Sequence, residues 1–138
     1  MDNPIMWVDA NKGFPSATVA RYGITLNSLA TEIVSRFEIA RIGYHKLDNA
    51  LIFALSNLED HGGKVPEGWI LIKEKITPHG YFRLNNKDLV RVIAHFAGLD
   101  LNKKNRFMAD WDEDSGYLVI GLSKKMETEI NGGGKRRS

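Results

Sequence analysis

The stretch Gly23–Ser56 occurs a second time, in looser form, between Tyr81 and Ser123. Each copy opens on Leu-Asn (Leu26-Asn27, then Leu84-Asn85). Each closes on one six-residue pattern, Leu51-Ile52-Phe53-Ala54-Leu55-Ser56 against Leu118-Val119-Ile120-Gly121-Leu122-Ser123. Aligning Asn27 with Asn85 and Ser56 with Ser123 leaves the second copy nine residues longer (27–56 against 85–123). The extra residues fall near Gly98–Lys103 and in the turn around Asp112–Gly116. Insertions confined to connections are what a duplicated unit tolerates.

Within the first copy, Ala17–Leu26 is rich in β-branched and aromatic residues and reads as a strand, with Gly23 marking a bulge or a close backbone approach. Asn27 is suited to cap a helix, because its side-chain oxygen can accept from an amide of the first turn. Leu29, Ile33, Val34 and Phe37 then follow at helical spacing, predicting one buried stripe on a helix of about ten residues. Arg41–Leu47 and Leu51–Leu55 read as two strands joined at Asp48-Asn49, residues that tolerate left-handed backbone. In the second copy Asn85 repeats the cap, Leu89, Val92, Ile93 and Phe96 repeat the stripe, and Gly98 stops the helix. Trp69–Ile76 reads as an added strand. The expected architecture is α+β: a pseudo-two-fold tandem repeat of βαββ units forming one domain over residues 1–123. The repeats span 17–56 and 80–123 and are joined by the Gly-, Pro- and charge-rich connection 57–79. Met6, Trp7 and Val8 are expected to pack on the body, and residues 124–138 to form a flexible basic tail ending in Lys135-Arg136-Arg137.

A chain of 138 residues with 43% hydrophobic and 26% charged residues has the composition of a soluble globular domain. No apolar run reaches the length that spans a bilayer. Met1-Asp2-Asn3-Pro4 lacks the basic and apolar regions of a signal peptide. There are no cysteines, which removes disulfides and thiolate metal sites and suits a cytoplasmic setting. The net charge of +2 permits contact with nucleic acid and argues against an acidic DNA mimic.

Catalytic and metal motifs are wanting. His45, His61, His79 and His95 have no metal-ligand spacing, and no nucleophile elbow, zinc-protease motif or phosphate loop is present. Asp110, Asp112 and Asp114 alternate as in a calcium loop. The sixth and twelfth positions are Ser115 and Gly121, however, where glycine and glutamate are needed. The expectation is a protein that is not an enzyme and needs no metal or cofactor. The candidate functional residues are Arg21, Arg41, Lys46, Arg83, Lys103, Lys104 and Arg106, expected to form matching basic patches on the two units. Arginine's planar fork suits phosphates and guanine edges.

Arg21-Tyr22-Gly23-Ile24-Thr25-Leu26-Asn27 with Ser28–Phe37 and Arg41–Leu55, and Gly80–Phe96 with Arg106–Leu122, resemble the unit of the swapped-hairpin AbrB-like proteins. Two units in one chain resemble the MraZ-like branch. The family's usual proline stands replaced at Asn27 and Asn85, and its D-x-x-x-R signature is missing at the start of both helices. The resemblance implies a sequence-specific DNA-binding regulator, usually oligomeric, that contacts DNA with strand and loop arginines. The expected function is a transcriptional regulator of a bacterium or mobile element whose partner is duplex DNA, with room for a homodimer. The alternative is a phage- or plasmid-encoded, anti-CRISPR-like inhibitor that binds a host or defence enzyme. Trp7, Trp69, Tyr81 and Trp111 would then gather on one face.

Overall fold

Leu51, Phe53 and Leu55 alternate with Ile52, Ala54 and Ser56, and this period of two gives β4 (Ala50–Ser56) one face in the core. On one side β4 pairs with β3 (Ile39–His45), and on the other with β8 (Tyr117–Lys125). Next to β8 lies β7 (Asn105–Asp112), followed by β1 (Ser16–Ala20), β2 (Gly23–Leu26) and β6 (Arg83–Leu84). At the other edge β5 (Ile70–Leu71) joins β3. The computed structural model, which describes residues 13–125, is therefore α+β. Eight antiparallel strands in the order β5-β3-β4-β8-β7-β1-β2-β6 curl into a half-barrel, accompanied by α1 (Ser28–Val34) and α2 (Lys87–Ala97). Phe53, Phe82 and Phe107 are fully buried at its centre, with the first two rings edge to face at 5.6 Å. No helix among the described residues is long and apolar enough to cross a membrane.

Residues 17–26 are not one strand. Ala20 pairs with Gly23, so the chain reverses at Arg21-Tyr22 and β1 and β2 form a hairpin. The reversal brings Gly23 onto β6, where a Cβ would collide with the Leu84 carbonyl oxygen. The close approach expected of this glycine is thus real.

Other expectations are corrected. Only Ile70–Leu71 of 69–76 is strand, because Ile72–Lys75 tightens into a 3-10 turn. Leu47 belongs to a four-residue turn rather than to β3 and is 93% exposed. The β7–β8 turn also has four residues, so it carries no insertion; Asp112 remains in β7, paired with Tyr117. Both turns end on a residue with positive φ, Asn49 at 50° and Gly116 at 75°.

The α1 helix is seven residues long, ends before Phe37, and buries Ala30, Thr31 and Val34. In α2 the buried residues are Val90, Ile93 and Ala94, whereas Val92 and Phe96 are about half exposed. Phe96 instead stacks on Tyr44 at 5.8 Å, holding the end of α2 against the β3–β4 hairpin. Asn86, not Asn85, caps α2, accepting from the Leu89 amide at 3.0 Å; Asn85 accepts from Arg83. The expected tail begins too early, because Lys124 and Lys125 belong to β8 and Lys125 pairs with Phe107; Met6, Trp7, Val8 and the rest of the basic tail lie outside the described residues.

Candidate nucleic-acid interface

Registers decide which polar side chains share a face. Thr18 stands opposite Arg106 of β7 and opposite Thr25 of β2, and Thr25 stands opposite Arg83 of β6. Arg106, Thr18, Thr25 and Arg83 therefore form one row across four strands. Their sequence neighbours Ala17, Val19, Ile24, Leu26, Phe107 and Leu84 are buried, so alternation turns the row outward. Three strand spacings of roughly 4.8 Å separate the Arg106 and Arg83 backbones by about 14 Å.

Both arginines are held. The Arg106 Nε donates to Ser16 Oγ at 3.2 Å. The Arg83 Nε donates to Asn85 Oδ1 at 3.2 Å, and its guanidinium carbon lies 4.9 Å from the centre of the Tyr22 ring. At the Arg106 end of the row an open hollow of about 430 Å³ is lined by Ser16, Thr18, Thr25, Tyr81, Lys104 and Arg106. Hydroxyls at its floor, with arginines at each end of the row, make a surface of donors with a positive rim.

The expected cations divide into two groups. Arg83, Arg106 and Lys104 belong to the row or its hollow. Arg21 is exposed in the turn joining β1 and β2. Lys103 lies just before β7, in a connection pinned to β1 by Asn105 Nδ2, which donates to the carbonyls of Val19, Lys103 and Asp100. The other two stand apart. Arg41 projects from β3 and lies against Gly68, and the Lys46 Nζ sits 4.8 Å over the Phe96 ring. Across the ladders Arg83 faces Thr25 and Arg106 faces Thr18. None of the seven is ion-paired among the described residues, whose two ion pairs are His45–Asp48 and Asp88–Arg91.

Thr18, Thr25 and Tyr22 were not among the candidates. The polar alternation Ala17-Thr18-Val19 was their only signal, and the unrecognised reversal at Arg21-Tyr22 hid the second threonine's place beside the first.

The remaining chemistry-bearing groups stay separate. Asp110 and Asp112 project from the far end of β7, and Asp112 Oδ1 accepts from the Asp114 amide at 3.1 Å, as in a strand entering a turn. His61 lies 3.1 Å from Ser56 Oγ and packs on Trp69. Among the described residues no three His, Asp or Glu side chains are placed to hold a metal ion. Of the aromatics expected to gather, Trp69 packs on His61, Trp111 on Phe37, and Tyr81 lines the hollow, while Trp7 lies outside the described residues. No family model matches this chain, and neither does any curated protein or solved structure.

Proposed function

We propose that this chain is a non-catalytic DNA-binding regulator that seats duplex phosphates on the row Arg106–Thr18–Thr25–Arg83, with Lys104, Lys103 and Arg21 extending the positive surface. The observation that carries this reading is the register that sets two oriented arginines, neither ion-paired among the described residues, at opposite ends of a hydroxyl-lined row. Their spacing of about 14 Å is comparable to the ~12 Å width of the DNA major groove. Hydroxyls between them suit the phosphate and sugar contacts that set register on a duplex.

The proposal includes the internal duplication. The two copies aligned by sequence make Ile52 equivalent to Val119 and Thr25 equivalent to Arg83. Those are also the residues that face one another where β4 meets β8 and β2 meets β6. A pseudo-two-fold axis would produce such self-pairing. Under it β1 corresponds to β5, and each joins the hairpin of the other half, β7 and β3 respectively. This exchange is what the likeness to swapped-hairpin DNA-binding proteins leads one to expect.

Fluorescence anisotropy with a labelled duplex tests the function. Five cations on five phosphates predict log K falling against log salt with a slope of about −4.5, and Arg83→Ala or Arg106→Ala should each reduce that slope by about one. Absence of binding at tens of micromolar protein in low salt (order-of-magnitude threshold) would remove the reading.

A further inference from the structure

We propose that a second copy of this chain docks face to face on the outer surface of β3, β4, β8 and β7. Leu51, Phe53, Leu55, Leu118, Ile120 and Leu122 turn into the core, so their neighbours form the opposite face of the sheet. That face mixes small residues, Gly43 and Ala54, with Ile52, Val119, Tyr117 and three charged side chains. One row runs Gly43, Ile52, Val119, Asp110, and the next runs Arg41, Ala54, Tyr117, Asp112. Among the described residues the main helix contacts lie elsewhere: α1 packs on β1 and β2, and α2 on β2.

The charges on this face choose the partner. Arg41 ends one row on β3 and Asp112 ends the same row on β7; both are exposed, and neither is ion-paired among the described residues. A two-fold axis running along the strands lays β3 of one copy over β7 of the other without changing the level of any row. Arg41 then faces Asp112 of the second copy, twice over by symmetry. In the same arrangement Ala54 receives Tyr117, Ile52 meets Val119, and Asp110 meets Gly43, which has no side chain to oppose it. A surface that complements itself row by row fits an isologous dimer. Packed sheets lie about 10 Å apart and within about 30° of alignment, a separation that an arginine side chain can span.

The two rows lie roughly 7 Å apart along the strands and run roughly 14 Å across them, far smaller than a standard interface of ~800 Å² per partner, so a weak, reversible association is expected. The basic row lies on β1, β2, β6 and the Arg106 end of β7, away from Asp110 and Asp112, and the proposal does not depend on it.

Sedimentation velocity of the full chain from about 5 to about 500 μM, a range that reaches weak association, is the test. Dimer should grow with concentration. Arg41→Asp and Asp112→Arg should each weaken it roughly tenfold, since each sets like charges against one another. Their combination, R41D with D112R, exchanges the charges and should return association to within about twofold of the parent chain. Circular dichroism of each variant separates lost association from lost folding. A chain that stays monomeric throughout overturns the proposal, as does a dimer that ignores the single reversals or is not recovered by the double one.

Discussion

The guanidinium carbon of Arg83 lies over the Tyr22 ring, 4.9 Å from its centre and within cation–π range. The two residues come from opposite halves of the chain, and Tyr22 carries no charge of its own. Tyr22→Leu should therefore leave the salt slope of duplex binding unchanged while weakening affinity about two- to fivefold, the worth of an exposed cation–π contact near 0.5–1 kcal/mol. Arg83→Ala, by contrast, should lower the slope itself. Anisotropy titrations at three salt concentrations distinguish the two outcomes; a changed slope for Tyr22→Leu would mean that the ring does more than orient its neighbour.

Thr31 joins the halves from within. Its hydroxyl accepts from the Phe82 amide at 2.9 Å and donates to the Leu26 carbonyl at 3.3 Å, and both Thr31 and Phe82 are buried. Thr31→Val preserves the shape and leaves the Phe82 N–H without its acceptor, at a cost of about 1–3 kcal/mol. Thr31→Ser keeps the hydroxyl and loses one methyl, worth roughly 0.8 kcal/mol. In urea unfolding the midpoints should fall in the order parent, Ser, Val at constant m. Equal stability of Val and parent would remove the hydroxyl from the account.

Hairpins and caps whose causes lie within a few residues were legible in the sequence. Asn27 does cap α1, the β3–β4 and β7–β8 strands pair as their alternation implies, and Gly98 ends α2 with a φ of 71°. Three features failed for identifiable reasons. Arg21-Tyr22 carries none of the Gly, Asn, Asp or Pro that usually mark a reversal, and its turn is closed instead by the β1–β2 pairing. Leu89, Val92, Ile93 and Phe96 make an acceptable helical stripe, but α2 presents Val90, Ile93 and Ala94 to the core and gives Phe96 to Tyr44. The candidate site depends on β1 meeting β7, a contact between residues about ninety positions apart, as in the Arg106–Ser16 hydrogen bond. Nothing local to either strand encodes that neighbour. Consequently the cations could be counted in the sequence, but their division between the basic row and the Arg41 face could not be read.

Asn27 does more than cap. Its Oδ1 accepts from the amides of Ala30 at 2.9 Å and Ser16 at 3.0 Å, and its Nδ2 donates to the Phe14 carbonyl at 2.7 Å. Asn27→Ala loses a cap worth about 1 kcal/mol and a strand contact worth about another, so a drop of about 2 kcal/mol is expected. Asn27→Asp keeps both acceptor contacts and should lose only about half as much. Chemical denaturation measures both. A loss for alanine no larger than for aspartate would show that the Ser16 and Ala30 amides find other partners.

Gly23 couples the fold to the proposed interface, because it is flanked by Tyr22 and its missing side chain lets β6 come close. Gly23→Ala drives a Cβ into the Leu84 carbonyl oxygen, which is backbone and cannot swing aside as a side chain would. The strand must move, at a cost of about 1–3 kcal/mol, the range for an overpacked interior. Gly121→Ala is the control: a Cβ there meets nothing within 4 Å, and stability should change by less than about 1 kcal/mol. Moving β6 also carries Arg83 out of the row. Gly23→Ala, measured at a temperature where it remains folded, should therefore reproduce the salt slope of Arg83→Ala, lower by about one. A destabilised variant with the parent slope would place Arg83 outside the phosphate contacts, and the row would then have to end at Thr25.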